Sequence, residues 1–199
     1  ELDLSDKEQE LKIIQTSEFP HKGYSEIKIL NSNNKETVIY FRIPSWDQKT
    51  KILINGEEIN YKTFNGYAKI YRKWKAGDKI ELKFDFTPRF VRTNPNVRYN
   101  IRKASIFRGP ILYCLEEIDN GKNLNRFVID SNNSFNEKED KINSEDIISL
   151  SINGSKFDDT NELYIKDKPK LSDAYLKFIP YYLWSNRGEN EMLVWINEK

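Results

Sequence analysis

Lys79-Ile-Glu-Leu-Lys-Phe-Asp-Phe86 alternates polar and apolar residues without an error, and this stretch decides the fold class. Side chains alternate faces along a strand, so Ile80, Leu82, Phe84 and Phe86 are predicted to share one buried face. Thr37–Ile43 and Tyr67–Tyr71 read the same way, rich in β-branched and aromatic residues. The turns between such runs are written in the sequence as well. Asn55-Gly56 and Asn65-Gly66 suit type I′ hairpins, in which both central residues take positive φ, and Ala76-Gly77-Asp78 is a further turn. Short strands with turn signals every 8–12 residues, and no dozen-residue window with a helical stripe, predict an all-β chain of antiparallel sandwiches rather than a βαβ sheet.

Pro88 to Asn96 interrupts this pattern with two prolines, Arg89, Arg92 and Asn94. The expected organisation is therefore two consecutive β-sandwich (jelly-roll-like) domains, 1–94 and 95–199. The second is expected to hold strands near Lys103–Phe107, Ile111–Leu115, Phe127–Ile129, Ile147–Ile152, Glu162–Ile165, Tyr175–Ile179 and Met192–Ile196. Asp130–Asp146 is rich in Asn, Ser, Glu and Lys with little to bury, which predicts a mobile polar loop near 130–146.

Composition narrows the function. In 199 residues, 32 basic and 31 acidic side chains nearly cancel and no like-charge run stands out, which speaks against nucleic acid or an anionic membrane as partner. No apolar run approaches a bilayer span, and no signal-peptide pattern opens the chain. The first residue is Glu1 rather than Met, so the chain reads as a piece excised from a longer protein and the compartment is left open. One cysteine (Cys114) and one histidine (His21) exclude an internal disulfide and a Cys/His-rich metal site, since structural zinc takes four N/S ligands.

Each reactive group has a structural reading beside it. Cys114 lies in the apolar run Ile111-Leu-Tyr-Cys-Leu115 with no neighbour in sequence to stabilise a thiolate, and reads as a small buried hydrophobe. Glu116-Glu117 and Asp158-Asp159 are adjacent carboxylates, but neighbours on a strand point to opposite faces, and surface acids are the default. His21 sits in a Pro/Gly turn without a partner placed by any motif. Asp130-Ser-Asn-Asn-Ser-Phe-Asn fails as a calcium loop, having Phe135 and Lys141 where Gly and Glu belong. Most aromatics, Tyr67 and Tyr71 among them, are assigned to packing. Tyr181, Tyr182 and Trp184, after Pro180 and before a Gly turn, are the ones expected at the surface. Arg187, in Asn-Arg-Gly, could cap a turn, bridge the two sandwiches by bidentate pairing with a carboxylate, or face a further domain.

Phe178-Ile-Pro-Tyr-Tyr-Leu-Trp-Ser-Asn-Arg-Gly-Glu-Asn-Glu-Met-Leu-Val-Trp-Ile196, taken with Phe41-Arg-Ile-Pro-Ser-Trp46 and Arg108-Gly-Pro-Ile-Leu-Tyr-Cys-Leu-Glu-Glu117, resembles the C-terminal region of glycoside hydrolase family 127, which contains the β-L-arabinofuranosidases. Ile54-Asn-Gly56 before Asn65-Gly-Tyr67, and Trp74-Lys-Ala-Gly-Asp78, are two smaller matches in the same order. The resemblance implies two β-sandwiches following an (α/α)6 catalytic barrel that this chain lacks. It implies a zinc-associated cysteine nucleophile in that barrel, and neither catalytic residues nor a cofactor in this chain. The expected role is non-catalytic, bracing the missing barrel, with a homodimer contact as a further expectation. The alternative is a carbohydrate-binding module that meets arabinose-containing glycans through Tyr181, Tyr182 and Trp184, with Arg187 as a glycan or barrel contact.

Overall fold

The computed structural model describes residues 2–3 and 11–199. It is nearly all β, with antiparallel sheets, as the periodicity predicts. The chain divides into two compact units, Glu1–Thr87 and Pro88–Lys199. The division precedes the cut expected near Asn94, because Arg89–Val91 is a strand paired with Ser105–Phe107 of the second unit. Pro88 thus marks the junction, and the rest of the interrupted stretch belongs to the second unit.

The first unit contains β1 (Leu2–Asp3), β2 (Leu11–Ser17), β3 (Tyr24–Ser32), β4 (Glu36–Arg42), β5 (Lys51–Ile54), β6 (Glu57–Ile59), β7 (Thr63–Phe64), β8 (Tyr67–Lys73) and β9 (Lys79–Lys83). They form a six-stranded sheet, β1-β2-β3-β9-β5-β6, and a three-stranded sheet, β4-β8-β7. One core joins the two sheets: Ile27, Ile29, Ile52, Ile54, Ile80 and Leu82 on one side, Phe41, Ile43, Ala68 and Trp74 on the other. That face-to-face packing defines the sandwich. The strand β9 ends at Lys83, yet Phe84 continues the same buried face and Phe86 is also buried.

The motif blocks are legible as local hydrogen-bond closures. Both Asn-Gly pairs have positive φ at Asn and Gly, as a type I′ turn requires. Asn55 Nδ2 donates to Asp78 Oδ1 (2.9 Å) and Lys79 N–H to Asn55 Oδ1 (2.8 Å), so the first turn is tied to the Trp74–Asp78 turn. Arg42 Nη1 donates to the Ile43 and Gly66 carbonyls, both at 2.6 Å, and lies over the Tyr67 ring. Asp47, buried after Trp46, accepts from Lys49 N–H, the Thr50 hydroxyl and Asp85 N–H at 2.8 Å each.

The buried face of β8 is the reverse of the one expected. Ala68 and Ile70 turn inward, while Tyr67 and Tyr71 are exposed, so these tyrosines are not core residues. Alternation gives two faces but not which is buried. The larger rings gave way because the inner face already holds Trp74, whose indole N–H donates to the Thr37 carbonyl at 3.0 Å.

The second unit contains β10 (Arg89–Val91), β11 (Lys103–Arg108), β12 (Ile111–Glu116), β13 (Phe127–Ile129), β14 (Asn136–Ile142), β15 (Glu145–Phe157), β16 (Leu171–Pro180), β17 (Met192–Leu193) and β18 (Ile196–Glu198). The sheet order β10-β11-β18-β13-β15-β16-β12-β17 returns on itself, because β11 also pairs with β12. The enclosed core is built from Ile106, Tyr113, Leu115, Ile129, Leu150, Ile152, Leu176, Phe178 and Ile196 among others. A second cluster, Cys114, Ile142, Ile147, Ile179 and Leu183, includes the residues of β12 and β16 adjacent to inward-facing Tyr113, Leu115 and Phe178.

Three local expectations are corrected by the second unit. Asp130–Asp146 is not a loop throughout: Asn136–Ile142 is a regular strand, paired in register with β15 from Asn136↔Ser151 to Ile142↔Glu145. Only Ile142 of that strand is buried, so composition carried no strand signal, yet the hairpin closes through Asn143 at φ 54°. Glu162–Ile165 is not a strand and lies in the connection between β15 and β16, with Leu163 and Tyr164 almost fully exposed. Met192–Ile196 is broken at Val194 and Trp195 into β17 and the start of β18. These two short strands serve different partners, β12 and the pair β11 and β13.

Candidate functional site

The candidate residues Tyr181, Tyr182, Trp184 and Arg187 follow β16 in one short segment. A single 3-10 turn, Tyr181–Leu183, begins after Pro180 and turns Leu183 into the apolar cluster of Cys114. Its other side chains point outward, and Tyr181, Tyr182 and Trp184 are 38–45% exposed. The inward leucine therefore works as an anchor for an aromatic surface.

Arg187 has a different fate from the aromatics. Its Nε donates to Glu116 Oε2 at 3.2 Å and its Nη1 to Asp119 Oδ1 at 3.2 Å, while Nη2 bridges both carboxylates. Glu116 is fully buried, and its other oxygen accepts Ser185 N–H at 2.8 Å. Ser185 holds the left-handed conformation (φ 65°) that this contact accompanies. The hydrogen bonds to Asp119 foremost, then Glu116, hold the Arg187 guanidinium above its ordinary pKa. Lys177 extends the network, with Nζ 3.4 Å from Asp119 and 2.8 Å from Asp140. Arg187 thus closes the 184–188 segment onto the end of β12.

Glu116 corrects the expectation of a surface acid. Its carboxylate is buried because Arg187, 71 residues away in sequence, neutralises it. Glu117 accepts Glu191 N–H at 3.1 Å, and is a separate fastening. Asp159 pairs with Arg126, and Asp158 accepts from the Ser172 hydroxyl. His21 N–H donates to the Glu18 carbonyl in an exposed turn.

A zinc–cysteine arrangement does not fit Cys114. The thiol is surrounded by Ile142, Ile147, Ile179 and Leu183, and burial pushes its pKa up to about 12. Among the described residues no group of three or more His, Cys, Asp and Glu is placed to hold a metal ion.

Comparison with known proteins agrees with this domain structure. Residues 1–86 match the middle domain of GH127 β-L-arabinofuranosidase, and residues 88–197 match the glycoside hydrolase family 127 C-terminal domain. A non-reducing end β-L-arabinofuranosidase of Bifidobacterium longum subsp. longum is 30% identical over 198 residues, covering 92% of this chain and 30% of that protein. The crystal structure of a GH127 β-L-arabinofuranosidase from Geobacillus stearothermophilus T6 superposes with a TM-score of 0.94 at 32% identity, covering 100% of this chain and 32% of its own. A further GH127 β-arabinofuranosidase gives 0.85 at 28% identity, over 99% and 33% of the two chains. The chain belongs to glycoside hydrolase family 127, and it corresponds to the family's middle and C-terminal domains. It spans about a third of the length of these relatives.

Proposed function

We propose that this chain is the non-catalytic C-terminal portion of an exo-acting β-L-arabinofuranosidase-like enzyme, and that it braces the (α/α)6 catalytic barrel. The observation that carries this reading is how the chain's own reactive groups are used. Glu116 is sealed beneath Arg187, and Cys114 is a protonated thiol among isoleucines and leucine. Both hold the fold together, and neither faces a cleft where a sugar could sit. Zinc and the cysteine nucleophile belong, on this reading, to the barrel. The test compares a full-length enzyme with a version ending before the middle domain. The full-length form is expected to hydrolyse an aryl β-L-arabinofuranoside, and the truncated form to lose thermal stability and solubility. A truncated enzyme of unchanged stability would sink the bracing role, and turnover by the isolated chain would sink its non-catalytic character.

A homodimer contact belongs to the same proposal, and its readout is the mass in solution. The exposure of Tyr181, Tyr182 and Trp184 favours one alternative, a carbohydrate-binding module. It requires affinity of the isolated chain for arabinose-containing glycans, lost in Tyr182→Ala or Trp184→Ala without loss of stability.

A further inference from the structure

The outward face of the three-stranded sheet in the first unit presents a row of rings. On β8 the outward residues are Tyr67, Lys69, Tyr71 and Lys73; on β4 they are Glu36, Val38, Tyr40 and Arg42. The register pairs Arg42 with Tyr67, Tyr40 with Lys69, Val38 with Tyr71 and Glu36 with Lys73, so all eight share one face. Phe64 of β7 joins them opposite Tyr67. Tyr40 is diagonal to both Tyr67 and Tyr71, about 7–8 Å from each. The three tyrosines therefore make a zigzag row that spans about 13 Å along the strand.

Two of these rings, Tyr67 and Tyr71, are held at the surface by neighbouring side chains. Arg42 lies 5.5 Å over the Tyr67 ring, and the Tyr71 hydroxyl donates to Glu36 Oε2 at 2.6 Å. Tyr40, Phe64, Tyr67 and Tyr71 are 43–78% exposed. At 150–250 Å² per aromatic side chain this amounts to roughly 500 Å² of ring surface, a patch size associated with binding.

Charge on the face has one sign to spare. Glu36 is its single carboxylate and is engaged by Tyr71. Lys69 and Lys73 make no ion pair among the described residues, whereas Lys28, Lys51 and Lys79 of the opposing sheet are all paired. Arg42 adds a third cation, whose hydrogen bonds among the described residues go to neutral carbonyls. Aromatic faces suit the C–H faces of sugar rings, and unpaired cations beside them suit carboxylates.

We propose that the outward face of β4, β8 and β7 is a binding platform for an acidic glycan, with Tyr67, Tyr40 and Tyr71 stacking on its sugar rings and Lys69 and Lys73 meeting its carboxylates. The site is built from first-unit residues alone and does not depend on the bracing role. A single-stranded nucleic acid would use the same two devices, but domains that bind nucleic acid are strongly basic, and this chain has a net charge of only +1.

The test measures binding of the intact chain to polygalacturonate, to neutral linear arabinan and to an oligonucleotide, at low and high salt. Polygalacturonate is expected to bind, with affinity falling as salt rises. Tyr71→Ala and Tyr40→Ala are each expected to weaken it about tenfold, or about 1.4 kcal/mol. Lys69→Gln and Lys73→Gln should weaken it several-fold and flatten the salt dependence, while Trp184→Ala leaves it unchanged. All of these side chains but Trp184 lie on one exposed face, so the unfolding temperature should stay constant. No binding to polygalacturonate, equal salt-insensitive binding to arabinan, tighter binding to the oligonucleotide, or loss only in Trp184→Ala would each overturn the proposal.

Discussion

Replacing Arg187 by methionine keeps much of its side-chain length and removes its charge, which isolates what the guanidinium does. In the native chain Glu116 is fully buried, and two of the hydrogen bonds its carboxylate accepts come from Arg187, at Nε and Nη2. The variant leaves that carboxylate with Ser185 N–H as its remaining partner among these contacts. Removing one partner of a buried ion pair costs about 3–5 kcal/mol, because the other charge stays desolvated. Arg187 keeps some exposure, so water can reach part of the gap and the lower end, about 3 kcal/mol, is the better figure. For a unit the size of Pro88–Lys199, about 4 °C per kcal/mol gives a fall of about 12 °C in its unfolding temperature. Calorimetry resolves this if the two units unfold separately, with the Glu1–Thr87 transition as an internal reference. The double variant Glu116→Gln/Arg187→Met should be more stable than Arg187→Met alone, since the stranded charge is gone. A loss below about 1 kcal/mol, or a double variant less stable than the single one, would refute the reasoning.

Other consequences can be measured independently. Cys114, with its pKa near 12, should resist a thiol reagent in the folded protein at neutral pH and react on unfolding; stoichiometric labelling without denaturant would contradict its buried position. Glu26 is held down to about 2, first by its hydrogen bond from Lys79 and then by that from Lys28. A depressed carboxylate contributes stability above its unfolded value near 4.5, and that contribution is lost as pH falls towards 2. Glu26→Gln should therefore flatten the acid limb of first-unit stability, and an unaltered limb would show that the pairing contributes nothing. Gly154→Ala would set a Cβ 2.5 Å from Leu176 Cδ1 and 2.7 Å from the Val128 carbonyl oxygen. A destabilisation of about 1–3 kcal/mol is expected from denaturant titration, and a neutral substitution would show that β13 and β16 yield easily. Trp74→Ala removes the largest fully buried side chain and the donor to Thr37, and should cost about 3–5 kcal/mol in the same titration.

Local chemistry made much of the fold legible. The alternation in 79–86 placed Ile80, Leu82 and Phe84 together because side-chain period follows from strand geometry alone. Asn55-Gly56 and Asn65-Gly66 announced their turns because few residues adopt positive φ without strain. Tyr181, Tyr182 and Trp184 were placed at the surface by a proline on one side and a glycine turn on the other. The family, too, was readable in the motif blocks, which are the residues that close these turns and loops.

What sequence could not supply were relations between distant residues. Glu116 looks like any surface acid until Arg187 arrives from across β16, because a lone carboxylate and a paired one are spelled alike. The strand Asn136–Ile142 has almost no apolar pattern of its own, and exists because β15 offers it a partner in register. Tyr67 and Tyr71 could have filled the core by their chemistry, but Trp74 and Phe41 occupy it and leave the tyrosines outside. Sequence by itself determined the strand period, the turns and the family, since these depend on residues a few positions apart. Only tertiary structure decided which face of β8 meets water, which acid is buried and which rings stand in a row, since each depends on what packs against it.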